Sequence, residues 1–184
     1  MTIISLKEIK KTDQFLLRNM ANHYSKPKGF VGRSICFSVM GDNVRYGSIV
    51  AGSATLHLPN RNKYFNIDKT KLNNIINNIF FHIEPIDGKY PCYNFASKVL
   101  KLFRQKSFVS RKQKYLDTVI GWETLVELPR TGEIYKRDGW DLIGQTIGFT
   151  CKRIGGVEST DAWSGRRVWD RENLRPKLVF VKRI

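Results

Sequence analysis

The segment of residues 121–146, GWETLVELPRTGEIYKRDGWDLIGQT, constrains the fold more than any other part of the chain. An apolar run ends at Pro129, a turn and a short stretch around Tyr135 follow, and Gly139-Trp140 opens a second apolar run. Proline and glycine interrupt regular elements, and short apolar runs bounded by such residues are typical of buried strands. The segment therefore predicts two strands joined by a short helix that carries Tyr135.

The rest of the sequence predicts further strands and helices around the same sheet. Residues 34–56 predict an antiparallel hairpin that turns at GDN, and KLVFVKRI predicts a terminal strand. Amphipathic spacing predicts one helix capped by Thr12 and a second, longer helix capped by Asn94. Residues 57–74, HLPNRNKYFNIDKTKLNN, are polar and predict a long loop.

This order of elements predicts one α/β (mixed α+β) domain with a central sheet flanked by helices. We place the domain at residues 1–153. A basic C-terminal extension, residues 154–184, would pack on it or beside it. The oligomeric state stays open.

Charge is the feature that points to a partner. The 184 residues contain 32 Lys and Arg against 16 Asp and Glu, a formal net charge of +16. So large an excess concentrates a protein on polyanions, so double-stranded DNA or another nucleic acid is the expected partner, ahead of the ribosome or a membrane surface. No apolar run approaches the roughly 20 residues that cross a bilayer. We expect a cytoplasmic protein, in the host cytoplasm if a phage encodes it.

Cysteine and histidine do not predict a metal site. The three cysteines are Cys36, Cys92 and Cys151, and the three histidines are His23, His57 and His82. Neither set shows the close spacing of metal ligands, so no metal is expected.

The segment GEIYKRDGW resembles the GNAT superfamily of N-acyltransferases, in which a short helix after the fifth strand carries a tyrosine ahead of a Gly-aromatic pair. Within that superfamily the likeness is greatest to the phage Mom-type DNA modification proteins, through Glu123-Thr124, Gly132, Tyr135 with Trp140, and Gly144-Gln145-Thr146. The alanine of the Mom-type motif is Arg137 here. The resemblance covers about residues 75–150. It implies a splayed central sheet and transfer of an acyl-type group to the exocyclic amine of adenine in DNA, a modification that protects phage DNA from restriction.

The same resemblance implies an acyl-CoA donor such as acetyl-CoA. However, the glycine-rich loop that usually cradles its pyrophosphate is absent, since EPIDGKYPCYNFASK contains only Gly88. The first turn of the helix offers an alternative, because unpaired backbone N–H groups attract phosphate. The candidate donor-binding residues are Asn94, Ala96, Ser97 and Lys98. Asn94 and Ser97 would equally serve as ordinary helix caps.

Four residues are candidates for catalysis. Tyr135 is the candidate general acid, because a phenol of pKa about 10 can protonate a departing thiolate. Tyrosines also commonly close hydrophobic cores. Glu123 is the first candidate base; His82, which shares a strand face with Glu84, is the next, and Ser97 belongs to the donor side.

Basic and aromatic residues form two candidate nucleic-acid patches and a tail. Lysine and arginine contact phosphates, and exposed aromatic rings stack on unpaired bases. The candidates are His23, Tyr24, Lys26, Lys28, Phe30 and Arg33 in the first patch, Arg104, Arg111 and Lys112 in the second, and Arg166 and Arg167 in the tail.

Three functions remain open at this point. The first is a GNAT-like transferase that modifies DNA bases. The second is a GNAT acetyltransferase that acts on a protein or a small-molecule amine. The third is a basic nucleic-acid-binding protein that keeps the scaffold without the chemistry.

Overall fold

The computed structural model describes residues 2–148, 150–154, 166–170 and 172–184, with backbone alone for 150–154 and 166–170. Within these ranges the strands are β1 Ile4–Ile9, β2 Ile35–Gly41, β3 Val44–Ser53, β4 Ile75–Ile83, β5 Gly121–Glu127, β6 Asp141–Gln145, β7 Thr150–Ile154, β8 Arg166–Asp170 and β9 Lys177–Arg183. The helices are α1 Gln14–Asn22, α2 Pro59–Phe65, α3 Phe95–Tyr115 and α4 Glu133–Arg137, with a 3-10 helix at Lys69–Asn74. No helix in the described ranges is long and apolar enough to cross a membrane.

Seven strands form one mixed sheet in the order β1-β2-β3-β4-β5-β9-β6, and β7 pairs with β8 separately. Neighbouring strands of the large sheet are antiparallel except β4 and β5, which are parallel. Their ladder holds for only three residue pairs, from Ile75–Gly121 to Asn77–Glu123, and then ends. The sheet is therefore splayed at its middle, as the resemblance implies.

Helices cover both faces of the sheet. On one face α3 packs through Val99, Leu100 and Phe103 against strand residues such as Phe37 and Ile76. On the other face α1 packs through Leu16 and Met20. The helix α2 covers that second face near β9 and β6. Burial of these apolar side chains supplies the main stabilisation of the layers.

The predicted hairpin is confirmed. β2 and β3 pair in antiparallel register, and Asp42 and Asn43 connect them with φ of 47° and 66°. Positive φ at both central residues belongs to the tight turns that match strand twist, and Asp and Asn tolerate it better than most residues.

The terminal strand, β9, belongs to the same sheet as strands that precede residue 154. The predicted domain boundary at residue 154 therefore divides this sheet. β9 lies between β5 and β6 and pairs with β5 over all seven of its residues. Val179, Phe180 and Val181 are buried, so their apolar side chains hold the strand inside the domain rather than beside it. Residues 155–165 lie outside the described part of the chain.

Three local predictions are wrong. Asp13, not Thr12, caps α1, and its carboxylate accepts hydrogen bonds from the amides of Phe15 and Leu16. Asn94 has φ 55° and caps no group of α3 with its side chain. Part of the predicted loop 57–74 folds as α2, because Pro59 suits the first helical turn and a buried Arg61 anchors the helix to the sheet.

Candidate functional site

A cleft of about 1150 Å³ opens where β4 and β5 separate. Residues 78–83 of β4 and 124–126 of β5 form its walls. The start of α3, the helix α4 and the residues that follow α1 complete the lining. The end of the parallel ladder therefore creates a large concave surface, the usual location of a ligand site.

Tyr135 lies at the inner end of this cleft. Its side chain is buried, and its hydroxyl donates a hydrogen bond of 2.7 Å to Asn78 Oδ1 on the opposite wall. Burial raises the pKa of Tyr135 above its ordinary value of 10, and the nearby Thr124 hydroxyl opposes this shift only in part. The phenol therefore stays protonated at neutral pH, which a general acid requires.

The spacing of Tyr135 and Trp140 has a packing reason. The two rings meet edge to face at a centroid distance of 5.2 Å, and Phe180 of β9 stacks on the tyrosine at 5.7 Å. Trp140 Nε1 donates to Asp138 Oδ2 at 2.8 Å, and Arg104 of α3 binds both oxygens of Asp138. The short helix that carries the phenol is thus fixed to α3 and to the sheet.

The predicted donor-binding residues lie at the cleft, with one exception. Asn94, Ala96 and Ser97 line it at the start of α3, where no side chain of the described chain caps the helix. Lys98 is exposed outside the lining, and its ammonium contacts Cys92 Sγ at 3.5 Å. Arg130 and Arg137 line the cleft and supply positive charge that the sequence alone did not indicate.

His82 lines the cleft and forms a 2.8 Å hydrogen bond through Nε2 with Glu84 Oε1. This bond lowers the pKa of Glu84, so the carboxylate is ionised and can only accept. Nε2–H therefore donates this hydrogen bond to the carboxylate. The predicted placement of His82 and Glu84 on one face is confirmed, and the hydrogen bond between them is an additional finding.

Glu123, predicted as the first candidate base, does not line the cleft. The carboxylate lies on the other face of β5, fully buried, in an ion pair with Arg61 of α2. It also accepts a hydrogen bond of 2.6 Å from the Thr55 amide. Its lone pairs are therefore used in holding α2 to the sheet, and we assign it a structural role.

Of the predicted nucleic-acid residues, His23 and Tyr24 line the cleft. Their rings are 4.2 Å apart, and His23 packs on Phe80 at 4.7 Å. Ser25 contacts His23 Nδ1 at 2.8 Å. Burial, with His82 and Arg130 nearby, lowers the pKa of His23 to about 4, so its imidazole is neutral at pH 7.

Several predicted phosphate contacts are structural instead. Arg111 is fully buried and pairs with Asp117, and Arg104 is mostly buried and pairs with Asp138, so both guanidinium groups face an acid inside the protein. Arg33 also pairs with Asp117, but 37% of its side chain is exposed. Phe30 is half-buried beside Phe80 and is not free to stack on a base. These corrections share one cause: sequence alone does not show which cations face an acid.

The remaining predicted contacts keep their surface position. Lys26, Lys28 and Lys112 are exposed. The backbone of Arg166 and Arg167 lies in β8, but their side chains fall outside the described residues. The exposed side of α3 also carries Lys98, Lys101 and Lys106, and the helix contains no acidic residue. We call Lys98, Lys101, Lys106 and Lys112 the α3 lysines.

A second cavity of about 710 Å³ adjoins the cleft and shares Ser25, Leu125 and Lys177 with it. Polar groups of α2, β6 and the segment before β9 line this cavity, among them Asn60 and Gln145. The two cavities therefore meet beside β5 and β9.

The comparisons with known proteins identify the fold through structure alone. No family model matches the sequence, and no curated protein matches it. A Bacillus subtilis acetyltransferase in complex with CoA is similar over 99% of each chain, with a TM-score of 0.57 and 8% identity. An Elizabethkingia anophelis GNAT family acetyltransferase with acetyl-CoA bound gives a TM-score of 0.56 at 8% identity over 98% of each chain.

The RimL ribosomal L7/L12 alpha-N-protein acetyltransferase gives a TM-score of 0.55 at 9% identity, over 98% of this chain and 93% of that protein. These three neighbours lend no support to the resemblance with Mom-type DNA modification proteins. The sheet order, the splayed parallel pair and the three likenesses together establish that this chain has the GNAT acetyltransferase fold.

Proposed function

We propose that the protein is an N-acyltransferase that takes its acyl group from acyl-CoA. The observation that carries this proposal is the placement of a protonated phenol, Tyr135, at the inner end of a cleft between two diverging parallel strands. A cleft of about 1150 Å³ exceeds the roughly 300–1,000 Å³ of ordinary ligand sites, so it has room for a large donor.

The cleft fits the parts of acyl-CoA. Strand residues beyond Asn77 and Glu123 no longer pair with each other, so an extended ligand with amide groups fits between the two strands. The uncapped start of α3 offers N–H groups and the positive end of the helix dipole to a pyrophosphate. Arg130 and Arg137 add cationic charge to the lining. This arrangement replaces the glycine-rich loop that the sequence lacks.

The residues of the cleft suit transfer to an amine. The amine nitrogen attacks the acyl carbon, the carbon–sulfur bond breaks, and Tyr135 gives its hydroxyl proton to the departing sulfur. The proton lost by the amine passes to Nδ1 of His82 in its neutral form, while Glu84 accepts from Nε2–H. The products are an N-acylated acceptor and a free thiol, and proton exchange with solvent restores both side chains.

We propose a nucleic-acid base as the acceptor, with the exocyclic amine of adenine in DNA as the first candidate. Two observations support a polyanion: the net charge of +16, and the α3 lysines on a helix without any acid. Asp117, Glu123 and Asp138 form internal ion pairs with arginines. These acids therefore neutralise little of the positive charge on the surface. Tyr24 is the exposed ring at the cleft that an extruded base would contact, on the face that Arg130 leaves open, whereas His23 is buried between Tyr24 and Phe80.

A protein or small-molecule amine is the second candidate acceptor. It is favoured by the neighbour whose name specifies a ribosomal protein as its substrate. A small polycation such as a polyamine fits poorly, because the surface would repel it.

Two measurements test the proposal. Calorimetric titration with acetyl-CoA should show binding that Ala96→Trp abolishes by filling the cleft, whereas Val31→Trp on an exposed loop leaves binding intact. Absence of binding to the intact protein would refute the donor assignment. Mass spectrometry of nucleosides from DNA co-expressed with the protein should then show an acylated adenosine. Unmodified DNA together with acetylated protein or amine would transfer the proposal to the second acceptor class.

A further inference from the structure

The side chain of Asn78 joins the two walls of the cleft at its inner end. Its Oδ1 accepts the 2.7 Å hydrogen bond from Tyr135, and its Nδ2 donates to the Phe80 carbonyl at 3.3 Å. Its backbone carbonyl accepts a 2.9 Å bond from Thr124 Oγ1 on β5. The residue is 4% exposed, so the hydroxyl hydrogen of Tyr135 is directed at a single buried acceptor.

We propose that Asn78 is the positioning residue for proton donation by Tyr135, holding the phenol at rest and stabilising it after it has lost its proton. This inference rests on the proposed acyl transfer. A carboxamide carries an acceptor and two donors on one rotatable group. It can accept from the phenol in the resting protein and, after a half-turn, donate to the phenolate.

The half-turn has a definable cost. It exchanges the Nδ2 contact with the Phe80 carbonyl, 3.3 Å long and beyond the most common N–H···O distance of about 2.9–3.0 Å, for a contact between Oδ1 and that same carbonyl oxygen, which the new bond to the phenolate has to offset. The phenolate that remains after Tyr135 protonates the leaving sulfur would be buried, and a buried charge with too few donors is costly. The nearby Thr124 hydroxyl favours the phenolate, and the Asn78 amide would supply a second donor.

A purely structural role makes a different prediction. If Asn78 only satisfied a buried hydroxyl, its replacement would lower activity only through the fraction of protein that stays folded. A positioning residue changes kcat of the folded protein, and it acts through the Tyr135 hydroxyl, so its removal matters only while that hydroxyl is present. A loss of kcat in folded protein that is non-additive with Tyr135→Phe therefore separates these roles.

The test compares the intact protein with Asn78→Ala, Tyr135→Phe and the double variant. Asn78→Ala should lower kcat for acetyl-CoA-dependent transfer about tenfold or more, with KM for acetyl-CoA changed less than about twofold. Added to Tyr135→Phe, the same change should lower kcat less than about twofold further. Equal losses in both backgrounds would overturn the inference.

A conservative variant adds a second readout. Asn78→Asp keeps the shape of the side chain and loses the donor once it is ionised, so transfer should be lost progressively as pH rises. A pH profile parallel to that of the intact protein would contradict the proposed donation to the phenolate.

A measurement without turnover keeps this inference separate from the proposed function. The Tyr135 hydroxyl proton should give a resolved NMR signal with slow solvent exchange, and Asn78→Ala should accelerate that exchange about tenfold or more. The matched control is Asn77→Ala, a buried asparagine of the same strand that bonds Thr55 instead. Unchanged exchange in Asn78→Ala would refute the positioning role even if acyl transfer is found. Failure to find transfer would refute the proposed function and the proton donation that rests on it, while accelerated exchange would still show that Asn78 holds the phenol.

Discussion

Arg61 of α2 and Glu123 of β5 form an ion pair in which both side chains are fully buried. The guanidinium also donates to the Thr55 carbonyl at 2.5 Å, and the carboxylate accepts from the Thr55 amide. One pair thus ties α2, the end of β3 and the middle of the sheet together directly behind the cleft.

Glu123→Gln should destabilise the protein by about 3–5 kcal/mol, because Arg61 would remain buried without its counter-charge. Urea denaturation measures the change, and Glu8→Gln, which breaks the more exposed pair with Lys114, is the control with a nearly unchanged midpoint. Loss of acyl transfer with unchanged stability would contradict the structural assignment and restore Glu123 as a base.

Gly132 and Gly88 offer a matched pair at the cleft and away from it. Both have positive φ, 69° and 72°, but a Cβ on Gly132 would overlap the Phe180 ring while one on Gly88 meets nothing within 4 Å. Gly88→Ala should cost about 1–2 kcal/mol from backbone strain alone. Gly132→Ala should cost about 1–3 kcal/mol more from overpacking, and it should slow transfer by displacing α4. Equal unfolding midpoints for the two variants would show that the Phe180 ring does not constrain α4.

The pKa of His23 predicts how stability depends on pH. The unfolded chain binds a proton near pH 6.5, whereas the folded protein binds it only near pH 4. Between these values the unfolded state holds more protons, so the free energy of unfolding falls as pH falls, by at most about 1.4 kcal/mol per pH unit for one group. Below pH 4 the imidazole is protonated in both states, so the stability that the neutral His23 contributes at higher pH is fully lost.

His23→Asn should flatten that dependence between pH 4 and 6.5 while keeping an acceptor for Ser25. Above pH 7 the two proteins should respond to pH alike. Urea titrations at pH 4, 5, 6 and 7 measure the difference, and parallel curves across the whole range would contradict the buried, neutral state of His23.

The α3 lysines predict the salt dependence of nucleic-acid binding. Replacing Lys101, Lys106 and Lys112 with Gln should weaken binding to duplex DNA and lower the slope of log affinity against log salt by about 0.9 for each phosphate that is no longer neutralised. The control replaces Lys63, Lys69 and Lys71, which belong to α2 and the adjacent 3-10 helix. Equal effects in both variants, measured by fluorescence anisotropy, would indicate a diffuse charge effect rather than a binding surface on α3.

Local sequence patterns predicted the elements whose causes are local. The GDN turn, the apolar stripe of α3 and the tyrosine segment before Trp140 each carry their signal within a few residues. The insertion of β9 between β5 and β6 has no local cause, because β9 and its partner β5 are distant in the chain. The sequence of neither strand indicates which strand it pairs with.

The parts of the site that sequence reasoning missed depend on distant contacts. Asn78 is inconspicuous in IINNIFFHI until the end of the ladder brings it to Tyr135. Arg33, Arg104 and Arg111 resemble phosphate contacts until Asp117 and Asp138 are seen beside them. Glu123 resembles a catalytic base until α2 supplies Arg61. Composition indicates the total charge correctly but not where the free charge lies.

Proton donation by the phenol of Tyr135, in a cleft that binds acyl-CoA, is the step on which the proposed chemistry depends. The direct measurement is the rate of thiol release from acetyl-CoA in the presence of acceptor for the intact protein and for Tyr135→Phe, with acetyl-CoA affinity determined for both. We expect the variant to be slower by about a hundredfold or more, with unchanged affinity. Equal rates in the two proteins would contradict the role of Tyr135 as the acid.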